Sequence, residues 1–410
     1  MNTMIYKYLI SVFMLFSCQN EKKNSISALK NNKAAEVLTT DDGNNGRVIT
    51  GAERLDLYLP LLATSRVGLV VNQTSMVRNT HLVDMLISQG IDIKRIFSPE
   101  HGFRGEADAG EKIKNSVDTK TNIELISLYG KNKKPSTSNL IDIDVILFDI
   151  QDVGVRFYTY ISTLHYVMEA AAEQNIKVIV LDRPNPNGHY VDGPILEPEY
   201  KSFIGMHPVP VVYGMTIGEY AKMINDQGWL EKEIIADLTV IPCGNYTHKT
   251  NYILPVKPSP NLPTPKSIRF YPSLCFFEGT TVSVGRGTDA PFQMFGHPNF
   301  SNYSFSFKPQ SVPGAKFPKH QDETCFGVNL INAAPLRSHL NLDYLIEAYD
   351  ACLKAQTPFF NDNNFFEKLA GTLKLRNMLE SGMTSHEISN TWTEDLKAFK
   401  KIRKKYLLYK

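Results

Sequence analysis

The sequence predicts an α/β protein in which a Rossmann-like domain with a parallel sheet precedes a smaller α+β domain. Short apolar runs alternate with stretches of helical period through the first half of the chain, as in βαβ units. Such units join parallel strands by right-handed crossovers and cover both faces of the sheet. The length of 410 residues suits two domains.

The first domain is predicted from two periodicities. Runs of buried type are expected to be strands, and apolar residues at helical spacing are expected to be helices. Thr216 should cap one helix, with Glu219 completing a capping box. The predicted strands are 67–72, 93–98, 125–128, 144–149, 177–182 and 238–241, and the predicted helices are 80–89, 158–174 and 216–227.

A cluster of prolines at 255–265 predicts an extended crossover between the domains, with the boundary at Pro265. The domains are therefore expected at 47–265 and 266–410. Residues 276–288 alternate like a strand and then turn at glycines, which would let Arg286 reach back to a cleft. Helices are expected at 342–354, 363–370, 372–381 and 385–405.

The N-terminus has the pattern of an export signal. Lys7 precedes a short apolar run that ends at Cys18, which resembles a bacterial lipoprotein signal over residues 1–18. An ordinary secretory signal or a buried N-terminal helix are the alternatives. Residues 19–46 are polar and predict a flexible tether. We expect an exported protein that is lipid-anchored at Cys18 on the periplasmic or cell-surface side and has no other membrane contact.

Charge and motifs exclude several classes of function. The formal net charge of +2 gives no general basic field for nucleic acid. The chain has no G-x-G-x-x-G after its first strand, no P-loop, no H-E-x-x-H and no G-x-S-x-G. The four cysteines other than Cys18 form no C-x-x-C pair. We therefore expect neither a cofactor nor a metal site, and we assign the cysteines no catalytic role.

The polar residues that follow the strand at 93–98 are the first candidate site. Pro99 ends this strand, and Glu100, His101 and Arg104 come directly after it. Ligands of open parallel sheets bind beyond the carboxyl ends of the strands, so Glu100 is the first candidate for a catalytic acid. The alternative is a solvated loop glutamate.

Two further strand ends carry polar clusters. One contains Asp149, Gln151, Asp152 and Arg156, followed by Tyr158 and Tyr160, and the other contains Asp182, Arg183, Asn185 and Asn187. A strand-terminal Asp often caps the following turn, which is the alternative for Asp149 and Asp182. Three clusters at successive strand ends nevertheless predict a binding or catalytic cleft.

Five motifs in this order resemble the exo-β-N-acetylmuramidase (NamZ-type) glycoside hydrolases of peptidoglycan recycling. They are 98–105 (SPEHGFRG), 148–160 (FDIQDVGVRFYTY), 182–188 (DRPNPNG), 258–264 (PSPNLPT) and 277–280 (FEGT). The resemblance runs from about Arg66 to the C-terminus. It implies an active site between a Rossmann-like catalytic domain and an auxiliary domain, with Glu100 as the catalytic glutamate. The implied reaction releases terminal N-acetylmuramic acid from the non-reducing ends of peptidoglycan glycan fragments.

The chemistry of this reaction suggests roles for the other residues. Glycosidases commonly use two carboxyl groups, so Asp152 or Glu278 could be the second one, unless the substrate's N-acetyl group assists instead. At least one of Arg104, Arg156 and Arg286 could pair with the lactyl carboxylate of muramic acid. Tyr158 and Tyr160 could stack on sugars, with core packing as the alternative. The residues predicted to bind substrate are His101, Arg104, Gln151, Arg156, Tyr158, Asp182, Asn185, Asn261 and Arg286.

Two other functions remain open from the residues alone. The same cleft could belong to a lipoprotein that binds a glycan or another small ligand without cleaving it. A metal-dependent hydrolase could use His101, His165 and nearby Asp residues, although their spacing matches no recognised ligand pattern.

Overall fold

A seven-stranded sheet organises the first half of the chain. The computed structural model describes residues 46–99, 103, 116–336 and 338–409. The strands are β1 Val67–Val71, β2 Met76–Val77, β3 Thr80–His81, β4 Ile93–Ser98, β5 Ser116–Val117, β6 Glu124–Ser127, β7 Val145–Asp149, β8 Lys177–Leu181, β9 Asp192–Ile195, β10 Pro210–Val212, β11 Leu238–Ile241, β12 Met294–His297, β13 Phe305–Phe307 and β14 Cys325–Asn329.

The helices follow in the same numbering. They are α1 Leu55–Leu62, α2 Leu82–Ser88, α3 Thr137–Leu140, α4 Tyr160–Glu173, α5 Ile217–Asp226, α6 Pro265–Leu274, α7 Asp343–Lys354, α8 Phe365–Ala370, α9 Lys374–Glu380, α10 Ser385–Asn390 and α11 Thr393–Arg403. Short 3₁₀ helices lie at Gly51–Glu53, Pro198–Tyr200, Glu231–Glu233 and Cys275–Gly279. No helix in the described ranges is long and apolar enough to cross a membrane.

The order of the large sheet is β11-β8-β7-β1-β4-β6-β5. Only the edge strand β5 is antiparallel, which confirms the predicted α/β class with a mainly parallel sheet. The chain runs outward from β1 through β4 to β6, then returns to β7 on the other side of β1. Neighbouring connections therefore diverge between β1 and β7, the place where such sheets often bind ligands.

Side-chain alternation explains why both faces of the sheet are covered. In β7, Ile146 and Phe148 enter one apolar cluster, whereas Val145 and Leu147 enter the other. Successive strand residues point to opposite faces, so a continuous apolar run serves two layers of helices. Helices α4 and α5 pack on the first face, and α1 and α2 pack on the second.

Helix α5 begins as predicted. The Thr216 hydroxyl accepts a hydrogen bond from the Glu219 backbone N–H at 3.3 Å, and the Glu219 carboxylate accepts one from the Thr216 N–H at 2.9 Å. This capping box satisfies two N–H groups that the first turn of a helix leaves without partners.

The described residues of the second half form a three-stranded antiparallel sheet of order β12-β14-β13 and, after α6, the helices α7 to α11. Residues 48–410 form one compact unit, and one apolar cluster contains residues from both sides of Pro265. Pro265 is the first residue of α6, with Thr264 as its N-cap. The boundary at Pro265 stays a prediction, because the core is continuous across it.

Two predictions for the second half were wrong. The segment expected to be a strand begins as the 3₁₀ helix Cys275–Gly279, directly after α6, and it then makes two isolated bridges, from Thr280 to Phe360 and from Ser283 to Gly296. The single helix expected at 385–405 is broken into α10 and α11. At the break, the buried Trp392 donates its indole N–H to Asp192 at 3.0 Å, a long-range contact that helical periodicity does not reveal.

Candidate active site

A cavity of about 550 Å³ is lined by residues from both halves of the chain. Its wall includes the segment after β6, the segment that leads into α4, the proline-rich crossover and the turn after α6. The lining residues are Tyr129, Gly130, Lys133, Phe157, Tyr158, Thr159, Tyr160, Phe203, Ile204, Ser259, Asn261, Leu262, Tyr271, Cys275, Glu278, Arg286, Phe292, Phe365 and Leu369. This volume is within the range that binds small organic ligands.

Aromatic rings form one wall of the cavity. Tyr158 meets Tyr160 edge to face at 5.0 Å between centroids, and it meets Tyr271 in the same way at 6.0 Å. The Tyr158 hydroxyl donates to the carbonyl of Pro258 at 2.7 Å, which ties this wall to the proline-rich crossover. Edge-to-face contacts fix the ring orientations, and all three rings are buried in the apolar core, so this wall is rigid.

Glu278 and Arg286 place an ion pair on the same cavity. The Arg286 Nη1 lies 3.1 Å from the Glu278 Oε2, and the two side chains are 29% and 23% exposed. Both residues therefore combine a defined geometry with access to a ligand. Asn261 also lines the cavity, and its side-chain amide donates to the Gly314 carbonyl at 2.8 Å.

Lys319 holds the turn that carries Glu278. Its ammonium group donates to the carbonyls of Phe277 at 2.9 Å, Thr280 at 2.5 Å and Val282 at 3.3 Å. Burial lowers the pKa of Lys319, and the nearby Glu278 carboxylate opposes this effect. Three carbonyl acceptors bridged by one cation hold the Glu278 segment in place.

The crevice between the ends of β1 and β7 is closed by the protein itself. The Ser75 hydroxyl donates to the Asp149 carbonyl, and the Gln151 N–H donates to the Thr74 hydroxyl at 3.0 Å. The side-chain amide of Gln151 is also used internally, since it donates to the carbonyls of Asp152 and Pro184. The cavity instead lies beside the segment that follows β6.

Four residues predicted to bind substrate are buried and make hydrogen bonds within the scaffold. Asp182 accepts hydrogen bonds from the Thr216 hydroxyl at 2.7 Å and the Tyr409 hydroxyl at 2.5 Å. Asn185 donates to the Met215 carbonyl at 2.8 Å. These residues are Gln151, Arg156, Asp182 and Asn185; none of them is on the cavity wall, and their binding of substrate stays a prediction.

The Arg156 side chain makes its hydrogen bonds inside the scaffold. Its side chain is 0% exposed. One guanidinium nitrogen donates to the carbonyls of Pro194 at 2.8 Å and Val209 at 2.7 Å, and the other donates to those of Leu369 at 3.0 Å and Ala370 at 2.6 Å. Arg156 thus joins β9 and the segment before β10 to helix α8.

Asp152 is a buried carboxyl group off the cavity wall. Its Oδ2 accepts hydrogen bonds from the Tyr213 hydroxyl and from the Gly154 N–H at 2.7 Å, and its Oδ1 has no partner among the described residues. Burial raises the pKa of Asp152 to about 6, against the opposing effect of these hydrogen bonds. This position argues against Asp152 as the second catalytic carboxyl.

We expect the free energy of unfolding of Asp152→Asn to increase relative to that of the wild type as pH rises from about 4 to about 6. In this window the folded protein retains a proton that the unfolded chain has released, so the contribution of Asp152 to stability falls as pH rises. A difference of about 2 pKa units corresponds to about 3 kcal/mol. Urea unfolding of both proteins at several pH values measures the difference between their free energies of unfolding. A difference that does not change with pH would contradict the raised pKa.

Both halves of the chain match models of one family. Residues 67–266 match the N-terminal domain of the exo-β-N-acetylmuramidase NamZ, and residues 269–409 match its C-terminal domain. The chain belongs to the NamZ family. This membership confirms the resemblance that the five sequence motifs indicated, and all the residues that line the cavity fall within the two matched segments.

Individual relatives support the same conclusion. The chain is 40% identical over 387 residues to the peptidoglycan β-N-acetylmuramidase NamZ of Bacillus subtilis, covering 88% of this chain and 92% of that protein. A crystal structure of a DUF1343 family protein from Bacteroides fragilis has 48% identity and a TM-score of 0.82. A second DUF1343 protein from that organism has 29% identity and a TM-score of 0.77. The match to each of these two structures covers 89% of this chain and 99% of the chain in that structure.

Three NamZ-type candidates, Glu100, His101 and Arg104, lie outside the described residues. The strand that precedes them, β4, pairs in parallel with β6, and Ser98 aligns with Ser127. The carboxyl ends of these two strands are therefore neighbours, and the segment after β6 supplies Tyr129 to the cavity.

Sequence reasoning missed several residues of the cavity wall. Lys133 and Phe203 line it, and the Lys133 ammonium lies 4.2 Å from the centroid of the Phe203 ring. Lys133 follows the parallel strand β6, and polar residues after other parallel strands were predicted to form the site. The same argument could have identified Lys133. Phe203 lies in a loop far along the chain and offered no comparable signal.

Among the described residues, His165 belongs to no group of side chains that could hold a metal ion. Its Nδ1 lies 3.0 Å from the Nε2 of His207, and its Nε2 lies 3.4 Å from the Glu169 carboxylate. Burial lowers the pKa of His165 to about 4, with Glu169 opposing the shift. A neutral, buried histidine pair fits a packing role in this half of the core.

Proposed function

We propose that this chain is an exo-acting glycoside hydrolase that releases terminal, non-reducing β-linked N-acetylmuramic acid from peptidoglycan-derived glycans. The observation that carries the proposal is the match to both NamZ domains, whose segments together form one cavity. The 40% identity to the Bacillus subtilis peptidoglycan β-N-acetylmuramidase supports the same reaction.

Two carboxyl groups have proposed roles in this reaction. Glu100 protonates the glycosidic oxygen as it leaves, which is the task of the general acid in glycosidases. Glu278 is the better candidate for the second carboxyl because it lines the cavity, whereas Asp152 is buried away from it. The Arg286 guanidinium lies 3.1 Å from the Glu278 carboxylate and holds it in a fixed position on the cavity wall, as a general base or a nucleophile requires. Assistance by the substrate's N-acetyl group is the competing role for this step.

The function is tested with a disaccharide whose non-reducing sugar is β-linked N-acetylmuramic acid. We expect the purified protein to release free N-acetylmuramic acid, and proton NMR of the first product gives its anomeric configuration. Release with retained or inverted configuration supports hydrolysis. A protein that binds the disaccharide without cleaving it would instead be a glycan-binding protein, and the proposed activity would be wrong.

We also propose that the protein is exported and anchored by a lipid on Cys18. The support is the sequence of residues 1–18 and the polar composition of the segment that follows. Cys18→Ala should move the protein from the membrane pellet to the soluble fraction of cells, as seen by immunoblotting. Ser17→Ala is the matched control, since it changes a neighbouring small residue but keeps the acceptor thiol. An unchanged membrane fraction and unchanged processing of the Cys18 variant would contradict the proposal.

A further inference from the structure

Two cations line the cavity among the described residues, and they differ in their surroundings. Arg286 is paired with the Glu278 carboxylate at 3.1 Å. Lys133 has no carboxylate within ion-pairing distance in the described part of the chain, and its ammonium lies over the ring of Phe203 at 4.2 Å. The face of an aromatic ring attracts a cation without neutralising its charge. Lys133 therefore leaves a positive charge on this wall of the cavity.

The neighbouring lysines show that this position is particular to Lys133. Lys134 is turned to the outer surface of α4, where its ammonium pairs with Glu169 at 2.7 Å and Glu173 at 2.8 Å. Lys131 is exposed and does not line the cavity. Of these three lysines, only Lys133 is on the cavity wall.

We propose that Lys133 binds the carboxylate of the sugar in the cavity and selects N-acetylmuramic acid whose lactyl group is free. This inference rests on the proposed function. N-acetylglucosamine lacks the lactyl group, and a muramic residue with an attached peptide has an amide in place of the carboxylate. Both neutral groups lose the charge-assisted hydrogen bond that an ammonium gives to a carboxylate. Arg286 is less suited to this role, because a substrate carboxylate there would compete with Glu278.

The proposal is tested by changing the lysine and the carboxylate in turn. The substrates are the 4-nitrophenyl β-glycosides of N-acetylmuramic acid, of its lactamide and of N-acetylglucosamine. For the wild type, kcat/KM on the acid should exceed that on the lactamide by roughly 10- to 100-fold, the usual worth of a hydrogen bond to a charged group. Lys133→Met should reduce this ratio to about 1 by lowering activity on the acid alone.

Lys131→Met and Lys134→Met are the controls. Each removes one positive charge close to Lys133 but leaves the cavity wall intact, so each should keep the wild-type ratio of acid to lactamide. A Lys133→Met protein that loses activity equally on both substrates, or that keeps the wild-type ratio, would overturn the role of Lys133.

Binding measurements separate this inference from the proposed function. Isothermal titration calorimetry with free N-acetylmuramic acid and with its lactamide requires no hydrolysis. Tighter binding of the acid by the wild type and equal binding by Lys133→Met would support Lys133 even if the glycosides were not cleaved, in which case the proposed hydrolase activity would be wrong. Cleavage of the glycosides with no preference for the acid would support the proposed hydrolase activity and overturn the role of Lys133. Failure both to bind and to cleave would overturn both.

Discussion

Glu100→Gln should lower kcat on a natural glycan by about 10² to 10⁴, the usual contribution of general acid catalysis. Glutamine keeps the size of the side chain but has no proton to give to the leaving oxygen. The loss should affect kcat more than KM, because the proton is transferred only in the transition state. Initial rates over a range of disaccharide concentrations measure both constants.

A substrate with a better leaving group distinguishes a catalytic Glu100 from a structural one. A nitrophenolate departs with little protonation, so the loss for Glu100→Gln should be much smaller on a 4-nitrophenyl glycoside than on the disaccharide. Glu124→Gln is a suitable control, since Glu124 is an exposed carboxylate on β6 that pairs with Arg95. Equal losses on both substrates, together with a lower melting temperature, would show that Glu100 supports the fold.

Arg183→Met should lower the free energy of unfolding by about 3 to 5 kcal/mol, the usual cost of removing one partner of a buried ion pair. The Arg183 guanidinium pairs with both carboxylate oxygens of Asp149, at 2.5 and 2.8 Å. Asp149 is 0% exposed, so the variant leaves a charged group in the core with no cation beside it. Urea unfolding followed by circular dichroism measures the change.

Two comparisons show whether burial causes this effect. Arg95→Met breaks the partly exposed pair with Glu124 and should cost at most about 1 kcal/mol. The double variant Asp149→Leu, Arg183→Met removes both charges and should recover much of the lost stability, because apolar replacements of a buried pair are often neutral. If Arg183→Met costs no more than Arg95→Met, the buried pair contributes little to the fold.

The sheet could be predicted because its signals are local. Val67–Val71 and Val145–Asp149 are buried at every position, and all their residues except Asp149 are apolar, which is what a strand between two helical layers requires. The capping box at Thr216 could also be predicted from the sequence, since its partner Glu219 is three residues away. The break between α10 and α11 was not, because it coincides with a contact between Trp392 and Asp192, which are 200 positions apart.

The sequence by itself determined the α/β class, the positions of the main strands, the family and the set of polar residues at the strand ends. It could not determine which of those residues face a ligand, since a strand-terminal carboxylate looks the same whether it binds substrate or caps a turn. The tertiary structure decided which of them are buried and which line the cavity. Arg156 and Asp182 make long-range hydrogen bonds inside the scaffold. Glu278 and Lys133 line one cavity, which forms only where distant segments of the chain pack together.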